Sequence, residues 1–142
     1  MNEKKILFLV DDDALFLSSL KLEFQQNSEF SVQTFATGEL CIENLSLNPS
    51  VIVLDYHLDG IAQGAQNGLQ TLDKIKGFNP HIPVIILSSQ DKIDVAVNCM
   101  RHNAYDYIVK SETIFVRLHK IIASIFTLKK IEQELDWYMK RA

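Results

Sequence analysis

Nearly unbroken apolar runs recur along this chain: KILFLV at 5–10, VIVL at 51–54 and VIIL at 84–87. A strand with one wet face alternates apolar and polar residues, so unbroken runs suit strands covered on both faces, as in a parallel sheet. FSVQTFA at 30–36 and YDYIV at 105–109 alternate more, which suits the two edges. Helical patterns fill the gaps: 14–26 with Leu15, Leu17, Leu20, Leu22 and Phe24; 38–47 with Leu40, Cys41, Leu45 and Leu47; 68–77 with Leu69, Leu72 and Ile75; 91–102 with Ile93, Val95, Val97 and Met100. Turn formers fall between them, at Asn27–Ser28, Asn48–Pro49, Gly77 through Pro80 and Asn103. Five strands alternating with helices predict a doubly wound α/β domain, its parallel sheet covered by helices on both faces.

Bulk properties narrow the function. A chain of 142 residues suits one domain. A hydrophobic content of 47% and a charged content of 23% are those of a globular chain. The formal charge of −4 argues against direct nucleic-acid binding and against an anionic membrane surface. MNEKKILFLVDDD lacks a signal-peptide h-region and cleavage site, and no apolar run approaches the ~20 residues of a spanning helix. Cys41 and Cys99 stand alone, without a CxxC, and read as reduced thiols in or near the core. A cytoplasmic, reducing setting is expected.

Open α/β sheets bind ligands at the carboxyl ends of their strands. Here those ends carry Asp11-Asp12-Asp13, Asp55, Ser88-Ser89 and Lys110. Clustered carboxylates repel unless a proton or cation neutralises them, and hard oxygen ligands suit Mg²⁺ completed by water and substrate phosphate. A carboxylate in such a place can attack phosphorus and become an aspartyl phosphate. Mg²⁺ and Lys110 would then neutralise the phosphoryl oxygens, with the Ser88 hydroxyl donating to another. Each residue also has a plainer use. Asp13 reads as an N-cap, Ser88-Ser89 as a cap for a helix starting near Asp91, Lys110 as a solvated amine, and Tyr107 as edge-strand packing. Their joint placement after separate strands is what the plainer uses do not predict.

In order, ILFLVDDD, VIVLD, PVIILSS and NAYDYIVK resemble the receiver domain of two-component response regulators, over residues 4 to about 125. The resemblance implies a flavodoxin-like sheet in the order 2-1-3-4-5, with a receiver at 1–125 and a helical extension at 126–142. It implies that Asp55 accepts phosphate from a histidine kinase or phosphotransfer protein. Asp12, Asp55 and the backbone carbonyl of His57 would bind Mg²⁺ directly, and Asp11 through water. Ser88 and Tyr107 would switch on phosphorylation and remodel a surface that docks a downstream protein. Lys110 would pair with the acid and then with the phosphoryl group. His57 and Gln90 occupy positions that tune hydrolysis. The sequence departs from the family at Ser111, where proline usually follows the lysine, and in the stretch after Asp55. There Asp59 stands where proline is expected, and Gly68 as the matching glycine implies an insertion of about five residues containing Gly60 and Gly64.

Residues 112–141 contain no Pro or Gly. Ile114, Leu118, Ile121, Ile125, Leu128, Leu135 and Tyr138, with Ile131 beside them, recur at helical spacing and predict a long terminal helix that could fold back or fray, pair with a second copy, or lead as a signalling helix to an output module. Two other functions compete with the phosphoacceptor: a Mg²⁺-dependent phosphohydrolase using Asp55, and a degenerate receiver acting as a constant interaction surface. The phosphohydrolase would favour an acid where His57 stands, and the degenerate receiver would not need its acids, hydroxyl and lysine together. A nucleotide-binding domain fits less well, since neither GxGxxG nor a Walker A motif is present.

Overall fold

The computed structural model describes residues 4–58 and 67–141. Strands and helices alternate: β1 (Lys5–Val10), α1 (Ala14–Gln25), β2 (Phe30–Phe35), α2 (Gly38–Glu43), β3 (Val51–Asp55), α3 (Gly68–Phe78), β4 (Val84–Ser88), α4 (Ile93–Arg101), β5 (Asp106–Val109) and α5 (Ile114–Arg141). The chain divides into two compact units, Met1–Ser111 and Glu112–Ala142.

In the first unit the five strands form a parallel sheet in the order β2-β1-β3-β4-β5. Every residue of β3 and β4 is buried, as their unbroken apolar runs predict, while β2 and β5 lie at the edges and are only partly covered. Phe8, Ile52, Leu54, Val84 and Ile86 form a core with Leu72 and Ile75 of α3 and Cys41 of α2. Burying each such aliphatic or aromatic side chain contributes roughly 1.5–3 kcal/mol. Both cysteines are buried as free thiols, and burial pushes the Cys41 thiol up to about 12.

Local signals fix the helix starts. Asp13 caps α1, accepting from the N–H groups of Leu15 and Phe16 at 3.1 and 3.2 Å. Asn67 and Gln70 form a reciprocal capping box at α3, with bonds of 2.8 and 3.0 Å. Two expectations are corrected. The helix predicted over 38–47 stops at Glu43. Asn44 turns its amide onto the Leu40 carbonyl at 2.7 Å, a short 3-10 turn follows at Leu45–Leu47, and Asn48 ends it in the left-handed region at φ 62°. Ser88-Ser89 do not cap α4, which begins at Ile93 after Lys92 with no side-chain cap bond.

In the second unit, α5 runs 28 residues, and its buried residues are Ile114, Leu118, Ile122 and Ile125. Ile122 therefore takes the buried row where the spacing alone placed Ile121. From Leu128 onward the large apolar side chains are open to solvent, Leu128 at 47% and Tyr138 at 68% exposed. No described helix is long and apolar enough to cross a membrane.

Candidate functional site

The sheet register assembles the site. Val10 pairs with Leu54, so the next residue of β1, Asp11, emerges beside Asp55 at the end of β3. Asp55 pairs with Leu87, which brings Ser88 to the same edge. The N–H of Lys110 donates to the Ser88 carbonyl at 2.8 Å and carries the β4–β5 ladder one step past Val109. Four chain segments far apart in sequence thus end side by side.

Lys110 Nζ donates to Asp11 Oδ2 at 2.9 Å and lies 3.4 Å from Asp55 Oδ1. Both acids are almost fully buried, Asp11 at 1% and Asp55 at 3% exposed. Burial, then the charge of Asp11, raises the Asp55 carboxyl to about 7, although Lys110 and the backbone N–H of His57 pull it down. Burial alone would lower Lys110, but its hydrogen bond to Asp11 and the charges of Asp55 and Asp11 outweigh that and hold the ammonium above its ordinary value.

Asp11, Asp12 and Asp55 each place a carboxylate oxygen within 4.8 Å of the others. This all-oxygen, partly repelling set fits a divalent cation of the Mg²⁺ kind, with room in its coordination for water and phosphate oxygens. The expected contribution of His57 is its backbone carbonyl; its backbone N–H is bonded to Asp55. The imidazole packs edge-on against Tyr56 at 5.0 Å, and its Nε2 is buried without a hydrogen-bond partner among the described residues.

Ser88 and Tyr107 meet at Gln90. The buried Ser88 hydroxyl accepts from the Gln90 N–H at 3.0 Å, and the Tyr107 hydroxyl donates to the Gln90 carbonyl at 2.6 Å. Burial raises the Tyr107 phenol, against a lowering hydrogen bond with Ser88. One peptide segment therefore links the hydroxyl beside the acids to the aromatic ring on the edge strand.

Gly68, expected to match the family's glycine, lies against the end of β3. Its N–H donates to the Tyr56 carbonyl at 2.8 Å, and a Cβ there would fall 2.5 Å from the Asp55 carbonyl oxygen and 2.6 Å from Tyr56 Cα. The expectations for Asp59, Gly60 and Gly64 lie outside the described residues. Ser111 follows Lys110 without a cis bond. One neighbour of the site is not among the residues the sequence singles out: the half-buried ring of Phe16 lies 4.4 Å from Lys110 Nζ. Its position four residues after Asp12, in the first turn of the helix that follows the acids, is the signal that could have found it.

Comparison with known proteins identifies the family. The family model described as the response regulator receiver domain matches residues 7–123. The chain belongs to the response regulator receiver family. This receiver is 30% identical over 112 residues to the DNA-binding transcriptional regulator NtrC of Escherichia coli K12, an alignment covering 76% of this chain and 22% of that protein. It is 30% identical over 103 residues to the nitrogen assimilation regulatory protein NtrX of Azorhizobium caulinodans, covering 72% of this chain and 22% of that one. The receiver thus spans only about a fifth of the length of these curated relatives. Among solved structures, the receiver domain of a LuxO repressor protein from Vibrio parahaemolyticus superposes with a TM-score of 0.80 at 23% identity, covering 93% of this chain and 97% of that one. That likeness shows the fold.

Proposed function

We propose that this receiver is a phosphoacceptor that takes a phosphoryl group onto Asp55 from a histidine kinase or phosphotransfer protein and returns it to water. The observation that carries the reading is the ammonium of Lys110, set between two buried carboxylates from different strands. An Asp55 oxygen attacks phosphorus. The new O–P bond forms as the bond from phosphorus to the donor nitrogen breaks, and the leaving nitrogen keeps the electron pair and takes up a proton. Lys110 loses one carboxylate partner and gains a phosphoryl oxygen, so its charge stays paired throughout. Mg²⁺, held by Asp12, Asp55 and the His57 carbonyl with Asp11 acting through water, would supply further positive charge against the phosphoryl oxygens. Ser88 would turn its hydroxyl from the Gln90 N–H to the phosphoryl group. That frees the Gln90 segment and, through it, the Tyr107 ring.

The experiment is direct. Incubation with a small phosphodonor and Mg²⁺ should add one phosphoryl mass to the wild type and none to Asp55→Asn; equal labelling of both would remove the reading. Sustained hydrolysis of many phosphate esters would favour a phosphohydrolase instead, and no labelling of the wild type a degenerate receiver.

Residues 1–125 would form the receiver proper and 126–142 a helical extension. We place the module in the cytoplasm, where its buried thiols stay reduced. At a formal charge of −4 it contacts a downstream protein, not nucleic acid or membrane. The exposed Leu128, Ile131, Leu135 and Tyr138 follow a three-four-three spacing that complements itself, so the extension would pair with a second copy. Sedimentation should show a dimer that is lost without residues 127–142; identical monomers would end the idea.

A further inference from the structure

We infer that Phe16 is a positioning residue for Lys110: its aromatic face holds the ammonium over Asp55 and keeps water from competing for it. The inference rests on the phosphoacceptor reading and deepens it.

The geometry around Nζ carries the argument. Asp11 takes one N–H at 2.9 Å, Asp55 stands 3.4 Å away, and the Phe16 ring centre lies at 4.4 Å. A cation within about 6 Å of a ring is drawn to the negative face of its quadrupole. The ring attracts the charge yet accepts no strong hydrogen bond, so the N–H groups remain committed to oxygens of the site. Phe16 is itself fixed. Its backbone N–H is bonded to the Asp13 carboxylate at 3.2 Å, and the Asp13 N–H is bonded to Asp11 Oδ1 at 2.9 Å. The acid that receives Lys110 thus also anchors the turn that presents the ring.

An aliphatic side chain of similar size would fill the space without the quadrupole. Phe16→Leu and Phe16→Met should therefore slow labelling of Asp55 by phosphoramidate about two- to fivefold, the range of a partly exposed cation–ring contact. Phe16→Tyr should stay near the wild-type rate. Independently of Mg²⁺ and phosphate, the Lys110 ε-methylene protons should show a ring-current displacement in the wild type and Phe16→Tyr that is absent in Phe16→Leu. Labelling of Phe16→Leu at the wild-type rate, equal slowing of the Tyr and Leu variants, or no ring-current displacement in the wild type would each overturn the inference. If Phe16→Leu fails to fold, Phe16→Met replaces it in both measurements, with the same outcomes expected. An intact ring-current signal in a wild type that cannot be labelled would instead sink the phosphoacceptor reading, and the role of the ring with it.

Discussion

Asp55→Asn is expected to make the metal-free protein more stable at pH 8, by about 1–3 kcal/mol. The Asp55 carboxyl is raised from 3.8 to about 7, first by burial and then by the charge of Asp11. The sign follows from proton counts. Below about pH 4 the group is protonated in both the folded and the unfolded chain, so it contributes nothing. Between about pH 4 and 7 the unfolded chain releases the proton while the folded chain keeps it, so stability falls as pH rises. Above about pH 7 the loss is complete. At about 1.4 kcal/mol for each unit, a rise of about three units sets a ceiling of about 4 kcal/mol. Asparagine gives up the attraction of Lys110, which reduces the gain; Lys110 keeps its bond to Asp11. Urea unfolding in EDTA should show the variant ahead at pH 8 and the gap shrinking toward pH 4. A variant less stable than the wild type at pH 8 would mean that the ammonium more than offsets burial and repulsion. Added Mg²⁺ should close the gap by stabilising the wild type more than the variant.

The second large effect is a contrast within one helix. Alanine has the better helix propensity, so replacing either glycine of α3 should help by about 0.5–1 kcal/mol on propensity alone. At Gly77 a Cβ meets nothing within 4 Å, and Gly77→Ala should realise that gain. At Gly68 the same atom would strike the Asp55 carbonyl oxygen at 2.5 Å and Tyr56 Cα at 2.6 Å. Both are backbone atoms and cannot rotate away. Gly68→Ala should therefore cost about 1–3 kcal/mol, the usual range for overpacking. It should also slow labelling of Asp55, because the strain falls on the peptide that presents the acid. Thermal melts of the two variants check the opposite signs; equal shifts would refute the close approach at Gly68.

The parts of the fold that could be read in the sequence are those where burial alone sets the pattern. VIVL and VIIL have no polar residue because no residue of β3 or β4 meets water. The strand-end acids and lysine were readable for the same reason: each interrupts an apolar run where the chain leaves the core. Apolar residues on the helices misled. Leu15 and Ile93 fit helical patterns yet are 82% and 81% exposed, since a helix of this sheet needs only one covered face. The break after Glu43 was hidden because it depends on one asparagine side chain reaching the Leu40 carbonyl. Phe16 was overlooked because its place four residues after Asp12 gains meaning only through Lys110, 94 positions away.

The internal counter-ion of the acidic cluster comes from the end of the last strand of the sheet, 99 positions after the acid it bonds. During synthesis the carboxylates of Asp11, Asp12 and Asp55 are therefore all made before Lys110 leaves the ribosome. Until then the ammonium that balances them in the folded domain does not exist. The acidic edge is completed only when β5 docks, so an unfinished or truncated chain carries its carboxylates there without the ammonium that bonds Asp11 and faces Asp55.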